Sequence, residues 1–253
     1  MAKLIATIRS LIFFLVFLGP FTIIWSLISI AYAWALPQHL RHRMVVMNWS
    51  AATIFMAKWV LGIRFEVEGR ENIPDIGVVV CNHQSMWETI FLQLVFHPQS
   101  QVVKKSLLNI PFFGWAFRLM NPIAIDRSDR RGAIQQVLDQ GSHLLQQGNY
   151  ICVFPEGTRR HPDQPGRFSK GGAVLAQRAG VPVIPVSQNS GRFWINKKFV
   201  KYPGTVQVKI YPPIQTDGAK PEEVIRQAEQ TILSGLDLPK TEQSSISPEL
   251  EAH

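Results

Sequence analysis

Residues 77–88 have the sequence GVVVCNHQSMWE, and this stretch decides the fold. Its first part, Gly77–Cys81, is a short apolar run rich in β-branched residues, which is typical of a strand buried on both faces of a sheet. An apolar stretch of helical length, Trp87–Phe96, follows closely. A buried strand followed by a helix is the unit from which parallel sheets are built.

The same alternation continues along residues 64–238. Strands are predicted at 64–68, 101–103, 123–125, 150–154, 183–186 and 206–210, and helices at 130–147, at 171–179 and from Pro221 onward. We therefore expect an α/β domain over residues 64–238, with a mostly parallel central sheet flanked by helices. The polar tail, residues 239–253, is expected to be disordered.

Residues 1–63 differ from the rest of the chain in charge and hydropathy. The chain has 253 residues and a net charge of +8, and its first 65 residues contain basic side chains but no acidic one. The apolar stretch Leu11–Leu36 is longer than the ~20 residues with which a helix spans a bilayer. A second, more amphipathic stretch, Met44–Ile63, follows. We predict an N-terminal hydrophobic two-helix membrane segment over residues 1–63.

Two other interpretations of Leu11–Leu36 are less favoured. A cleaved signal peptide has an apolar region of ~7–15 residues, which is much shorter than this one. A buried helix of a soluble protein is disfavoured because no acidic residue occurs before Glu66. Whether the two helices span the bilayer or lie in one leaflet stays open.

The composition argues against several classes of protein. Charged residues make up 17% of the chain, below the usual ~25%, which argues against a disordered chain and against a nucleic-acid partner. Two cysteines are too few for a disulfide scaffold or an all-cysteine zinc site, and Cys81 and Cys152 are predicted to be buried free thiols. The sequence shows neither a metal-ligand cluster nor a dinucleotide-binding fingerprint, so we expect no metal and no cofactor.

A histidine and a glutamate follow the strand in the opening stretch. His83 comes just after the carboxyl end of the strand, where α/β sheets place their sites, and Glu88 comes five residues later. With His83 in the turn and Glu88 in the first turns of the helix, the carboxylate can hold Nδ1–H while Nε2 accepts a proton. Ser85 lacks the Gly-x-Ser-x-Gly surroundings of a nucleophile. A loop histidine without a catalytic role is the alternative interpretation.

A second polar motif, FPEGTR, follows the strand at 150–154. Its glycine permits an unusual backbone conformation, its threonine offers a hydroxyl, and its arginine offers a planar fork that suits a phosphate. The motif therefore indicates an anionic substrate, and further basic residues follow other predicted strands. The candidate substrate-binding residues are Glu156, Gly157, Thr158, Arg159, Lys104, Lys105 and Arg127.

These motifs resemble four sequence blocks of the glycerolipid acyltransferases, in the same order and with similar spacing. NHQSMWE (82–88) resembles the NHxSxxD block, and residues 102–127, FPEGTR and VPVIPVS (181–187) resemble the other three. The resemblance covers about residues 60–215 and is strongest to the bacterial lysophosphatidic acid acyltransferases; a subset of bacterial members also has a stretch similar to NSGRFW (189–194). The departure is Glu88, where the family usually has aspartate.

The resemblance implies transfer of an acyl chain to the free hydroxyl of 1-acyl-glycerol-3-phosphate, which gives phosphatidic acid. The co-substrate is then acyl-CoA or acyl-carrier protein. His83 is implied to be the general base and Glu88 its orienting partner, without an acyl-enzyme. Arg159, with Thr158 and Gly157, is implied to bind the acceptor phosphate. The implied location is the inner (cytoplasmic) membrane, in contact with phospholipids, with the active site on the cytoplasmic side.

Three alternatives stay open at this stage. The same chemistry could use another acceptor, such as glycerol 3-phosphate or a lyso-ornithine lipid. A lipid hydrolase would use His83 to activate water. A non-catalytic membrane adaptor would need neither the His83–Glu88 pair nor FPEGTR.

Overall fold

A computed structural model describes residues 2–120, 122–126 and 130–236 of the chain. The strands are β1 (Ile63–Glu68), β2 (Val78–Cys81), β3 (Gln99–Lys104), β4 (Ile123–Ile125), β5 (Tyr150–Val153), β6 (Val183–Gln188) and β7 (Gly204–Ile210). The helices of six residues or more are α1 (Ala2–Ala33), α2 (His42–Leu61), α3 (Trp87–Val95), α4 (Phe113–Arg118), α5 (Arg130–Gln146), α6 (Gly171–Ala179) and α7 (Pro221–Ser234), and a four-residue helix, Gln38–Arg41, lies between α1 and α2. Arg127 and residues 239–253 lie outside the described residues.

The strands form a seven-stranded sheet of order β1-β7-β6-β2-β5-β3-β4 within the described part of the chain. Strands β2 to β6 are parallel to one another. Strand β7 pairs antiparallel with β6, and β1 pairs parallel with β7. The expected α/β fold with a mostly parallel sheet is confirmed. The reversal at β7 was not predicted, and it is possible because β6 and β7 are joined by a loop with one short 3₁₀ turn (Ser190–Arg192) rather than by a crossover helix.

Both faces of the sheet are covered, which explains the uninterrupted apolar run in β2. Val79 and Cys81 belong to a hydrophobic core that includes residues of α1, α2 and α3. Val78 and Val80 belong to a second core with residues of α5, α6 and α7. Alternate side chains of a strand point to opposite faces, so a strand covered on both sides is apolar at every position.

The two N-terminal helices pack on the same core as the sheet. Phe13 of α1 is fully buried, and its ring meets that of Trp194 edge-on with centroids 5.5 Å apart. Leu61 of α2 is buried in the same core. By length and composition α1 and α2 could each cross a membrane, with mean hydropathies of 2.5 and 1.3. This confirms the expected pair of apolar N-terminal helices.

Two of the N-terminal tryptophans hold α1 and α2 together. The indole N–H of Trp25 donates to the carbonyl of Val45 at 3.0 Å, and that of Trp49 donates to the hydroxyl of Thr22 at 3.0 Å. The side chain of Trp34, in contrast, is exposed. The tryptophans therefore divide between helix pairing and the outer surface of the segment.

Cys81 and Cys152 are free and buried, as expected. Burial raises the pKa of both thiols, so both are held in the neutral form that suits an apolar core.

Candidate active site

The predicted site residues lie at one edge of the sheet. Because β2 to β6 are parallel, their carboxyl ends meet at this edge. His83 follows β2, Lys104 ends β3, and the segment 154–159 follows β5. The structure thus places the two polar motifs of the sequence on neighbouring strands.

His83 and Glu88 form a direct pair. The Nδ1 atom of His83 lies 2.9 Å from Oε1 of Glu88, which stands in the first turn of α3. The side chain of His83 is 14% exposed and that of Glu88 is 1% exposed. One face of the imidazole stacks on Phe154, with ring centroids 4.1 Å apart. The stacking and the hydrogen bond together fix the orientation of the ring.

Glu88 is buried but surrounded by donors. Its Oε1 accepts the backbone N–H groups of Gln84 and Ser85, each at 2.8 Å. Its Oε2 accepts the hydroxyls of Ser85 and Ser190, the latter at 2.7 Å. Burial by itself would raise the pKa of Glu88, but the hydrogen bonds from His83, Ser190 and Ser85 lower it below its ordinary value. The carboxylate is therefore ionised and accepts Nδ1–H of His83.

This arrangement leaves Nε2 of His83 available as a base. With the proton on Nδ1, Nε2 carries the lone pair, and it has no hydrogen-bond partner among the described residues. A carboxylate that holds the imidazole in this tautomer also stabilises the imidazolium that forms on proton transfer. The Ser85 hydroxyl is fully buried and bonded to Glu88 and Ser190, so it is engaged in holding the carboxylate.

Glu156 connects the two polar motifs. Its Oε1 accepts the backbone N–H of His83 at 2.8 Å, and its Oε2 accepts that of Gly166 at 2.7 Å. The backbone N–H of Arg160 also donates to the carbonyl of His83 at 2.8 Å. Burial raises the pKa of Glu156, and the two backbone hydrogen bonds oppose this rise. Glu156 thus holds the loop that carries His83 through Oε1 and the loop after FPEGTR through Oε2.

Arg159 brings positive charge next to this pair. Its Nε donates to the carbonyl of Ser85 at 3.1 Å, and its Nη groups have no hydrogen-bond partner in the described part of the chain. Gly157 has φ +68°, a left-handed conformation that favours glycine, and Thr158 is exposed. Lys201 is buried. Burial, together with the positive charge of Arg159, lowers the pKa of its ammonium group to about 8.

The other basic candidates are less closely connected. Lys104 and Lys105 are exposed at the end of β3. Within residues 2–120, 122–126 and 130–236, neither forms a hydrogen bond or an ion pair with His83, Glu88 or Arg159. Arg127 lies outside the described residues. No group of three His, Cys, Asp or Glu side chains in that part of the chain could hold a metal ion.

Sequence reasoning missed the contacts that Ser190 and Phe154 make with Glu88 and His83. Ser190 follows β6 and lies 102 positions along the chain from Glu88, so no local spacing links the two residues. Phe154 precedes the FPEGTR charges, and its contact with His83 depends on the pairing of β2 with β5. The one sequence signal for Ser190 was its place in the stretch NSGRFW.

Known proteins are similar to this chain in both sequence and fold. A family model described as "Acyltransferase" matches residues 64–189. The chain is 44% identical to a 1-acyl-sn-glycerol-3-phosphate acyltransferase of Pseudomonas aeruginosa. The aligned 221 residues cover 87% of this chain and 86% of that protein. It is also 36% identical to the mouse 1-acyl-sn-glycerol-3-phosphate acyltransferase alpha. The aligned 173 residues cover 66% of this chain and 61% of the mouse protein.

A solved structure agrees with the fold. The crystal structure of the 1-acyl-sn-glycerophosphate acyltransferase of Thermotoga maritima superposes with a TM-score of 0.78 at 24% identity. The match covers 93% of this chain and 96% of the Thermotoga chain, so it includes the N-terminal helices as well as the sheet. With the matching family model and the 44% identical relative, these similarities show that the chain belongs to the acyltransferase family.

Proposed function

We propose that this acyltransferase moves an acyl chain from a thioester to the free hydroxyl of 1-acyl-glycerol-3-phosphate, giving phosphatidic acid for phospholipid synthesis. The relatives described above support the acceptor by their names. The observation that carries the chemistry is the His83–Glu88 pair, in which the ionised carboxylate holds Nδ1 at 2.9 Å and leaves Nε2 for the acceptor hydroxyl. The donor is acyl-CoA or acyl-carrier protein, and the scheme uses no further cofactor.

The reaction proceeds by direct transfer. His83 Nε2 takes the proton of the acceptor hydroxyl as its oxygen attacks the thioester carbonyl. An ester C–O bond forms, the C–S bond breaks, and the departing thiolate takes the proton back from the imidazolium. Glu88 stabilises the imidazolium between these two steps. No acyl-enzyme forms, in keeping with the engagement of the Ser85 hydroxyl by Glu88 and Ser190.

The acceptor phosphate binds at Arg159, with Thr158 and Gly157 beside it. The guanidinium of Arg159, whose Nη groups have no hydrogen-bond partner among the described residues, supplies the positive charge that a phosphate needs. Lys104, Lys105 and Arg127 are further candidates for the anionic groups of the two substrates. Glu156 acts on the same site by holding the His83 loop.

Replacing Arg159 with alanine is expected to raise the KM for the lysolipid by about 10- to 100-fold, because a charge-assisted hydrogen bond contributes about 1.5–3 kcal/mol. The KM for the acyl donor is expected to change little. Steady-state kinetics with each substrate varied in turn measures both constants. Arg178→Ala is a suitable control, since Arg178 is an exposed arginine whose ion pair with Asp139 lies elsewhere. An unchanged lysolipid KM in Arg159→Ala would contradict the proposed phosphate site.

We also propose that the protein resides in the inner (cytoplasmic) membrane with its active site on the cytoplasmic side. The exposed apolar surface of α1 supports membrane binding, and acyl-CoA and acyl-carrier protein are substrates in aqueous solution. His161→Cys places a thiol on the exposed loop beside the FPEGTR motif, while both native cysteines are buried. We expect a membrane-impermeant maleimide to label this variant in lysed but not in intact spheroplasts. Labelling in intact spheroplasts would contradict the orientation.

A panel of acceptors tests the proposed substrate. Purified protein is incubated with an acyl thioester and with 1-acyl-glycerol-3-phosphate, glycerol 3-phosphate or a lyso-ornithine lipid, and thiol release is measured. We expect the highest kcat/KM with 1-acyl-glycerol-3-phosphate. A preference for another acceptor would mean that the proposed acyl transfer is right but that the proposed acceptor is wrong. Free fatty acid as the product would indicate a hydrolase, and no release from any donor would indicate an adaptor.

A further inference from the structure

A hydroxyl from outside the His83 loop contacts the orienting carboxylate. Ser190 follows β6, and its Oγ lies 2.7 Å from Oε2 of Glu88 and 2.7 Å from Oγ of Ser85. The residue is fully buried. Glu88 therefore accepts one hydroxyl from the loop before α3 and one from the turn after β6.

The position of Ser190 is itself fixed by buried hydrogen bonds. Its backbone N–H donates to Oε1 of Gln188 at 2.7 Å. The side-chain amide of Gln188 donates to the carbonyl of Asn82 at 3.0 Å, and that of Asn82 donates to the carbonyl of Gln188 at 2.8 Å. The end of β6 is thus tied to the end of β2 immediately before His83. Ser190 has little freedom to move away from Glu88.

The second oxygen of Glu88 depends on these hydroxyls. Oε1 is shared among Nδ1 of His83 and two backbone N–H groups, whereas Oε2 accepts the two serine hydroxyls and the backbone N–H of Ser85, the last at 3.1 Å. A hydrogen bond lost from a buried carboxylate oxygen costs free energy and removes one of the contacts that set its orientation. Removal of the Ser190 hydroxyl would therefore leave Oε2 held by Ser85 alone and loosen the orientation of the carboxylate relative to the imidazole.

We propose that Ser190 is a positioning residue for acyl transfer, because its hydroxyl holds Glu88 in the orientation that binds Nδ1 of His83. This inference rests on the proposed function, in which His83 is the base and Glu88 is its partner. Ser190 acts through Glu88 and does not touch the substrates.

A double-mutant cycle tests this role. Ser190→Ala is expected to lower kcat by about tenfold, the equivalent of one hydrogen bond to a charged group, with little change in either KM. In a Glu88→Gln background the same replacement is expected to change kcat by less than about twofold, because the carboxylate through which it acts is already absent. Ser187→Ala is the matched control: Ser187 is a buried serine of β6, and its hydroxyl pairs with Tyr211.

The outcomes separate this inference from the proposed function. If Glu88→Gln alone keeps full activity, the proposed role of Glu88 is wrong. If Glu88→Gln loses activity and Ser190→Ala does not, Ser190 is not a positioning residue while the mechanism stands. Additive losses in the cycle, or loss of cooperative unfolding in Ser190→Ala but not in Ser187→Ala, would show that the hydroxyl serves the fold and would overturn the inference.

Discussion

Replacing His83 with alanine is expected to lower kcat by about 10²–10⁴-fold, the usual contribution of general base catalysis. The imidazole supplies the lone pair on Nε2 that takes the proton of the acceptor hydroxyl, and no other side chain contacts Glu88 with a titratable nitrogen in the described part of the chain. The fold is expected to persist because Glu88 keeps its bonds to Gln84, Ser85 and Ser190.

Initial rates of thiol release, together with a thermal unfolding curve, measure this prediction. His161→Ala is the matched control, because His161 lies on the loop after FPEGTR with its side chain 61% exposed and pairs only with Asp163 among the described acidic residues. We expect wild-type turnover in His161→Ala and a Tm close to wild type in both variants. Near-normal turnover in His83→Ala would refute the mechanism.

Replacing Glu88 with alanine is expected to remove most of the activity and to lower the stability as well. His83 loses the carboxylate that sets its tautomer and stabilises its charged form. The N–H groups of Gln84 and Ser85 lose their acceptor, at a cost of about 1–3 kcal/mol for each buried group left unpaired. Glu88→Asp keeps the charge with one methylene fewer, and we expect it to retain activity.

Turnover and Tm of Glu88→Ala and Glu88→Asp, measured side by side, test the role of the charge. Glu71→Ala is a control for loss of a carboxylate at an exposed position. Activity is expected to decrease in the order wild type, Asp, Ala. An equal loss in the two Glu88 variants would mean that the length of the side chain matters more than its charge.

Much of the fold could be predicted because most of the strands are short and are followed by a helix. The run GVVVC predicted β2, and the apolar stretch after it predicted α3. The rule that parallel strands share their carboxyl edge also placed His83 and FPEGTR close together before any contact was known. The contact between His83 and Glu88 was expected only if His83 lay in the turn before the helix and Glu88 in its first turns, and Glu88 does fall in the first turn.

The remaining features depend on contacts between distant parts of the chain. The reversal of β7 has no local signal, because a strand has the same apolar pattern in either direction. The packing of Phe13 on Trp194 depends on where α1 meets the sheet. Ser190 and Glu156 are polar residues in loops, and their bonds to Glu88 and His83 appear only when three strand ends are assembled. The roles assigned to the site residues stay predictions until the variants are measured.

The central claim is direct acyl transfer from a thioester to the lysolipid hydroxyl with His83 as the base. The most direct measurement incubates purified protein with an isotopically labelled acyl thioester and 1-acyl-glycerol-3-phosphate, and then quantifies labelled lipid, free thiol and protein-bound acyl groups. The account predicts one labelled phosphatidic acid for each thiol released, no labelled protein when the acceptor is omitted, and loss of the product in His83→Ala. Labelled free fatty acid as the main product, or a covalent acyl-protein, would contradict it.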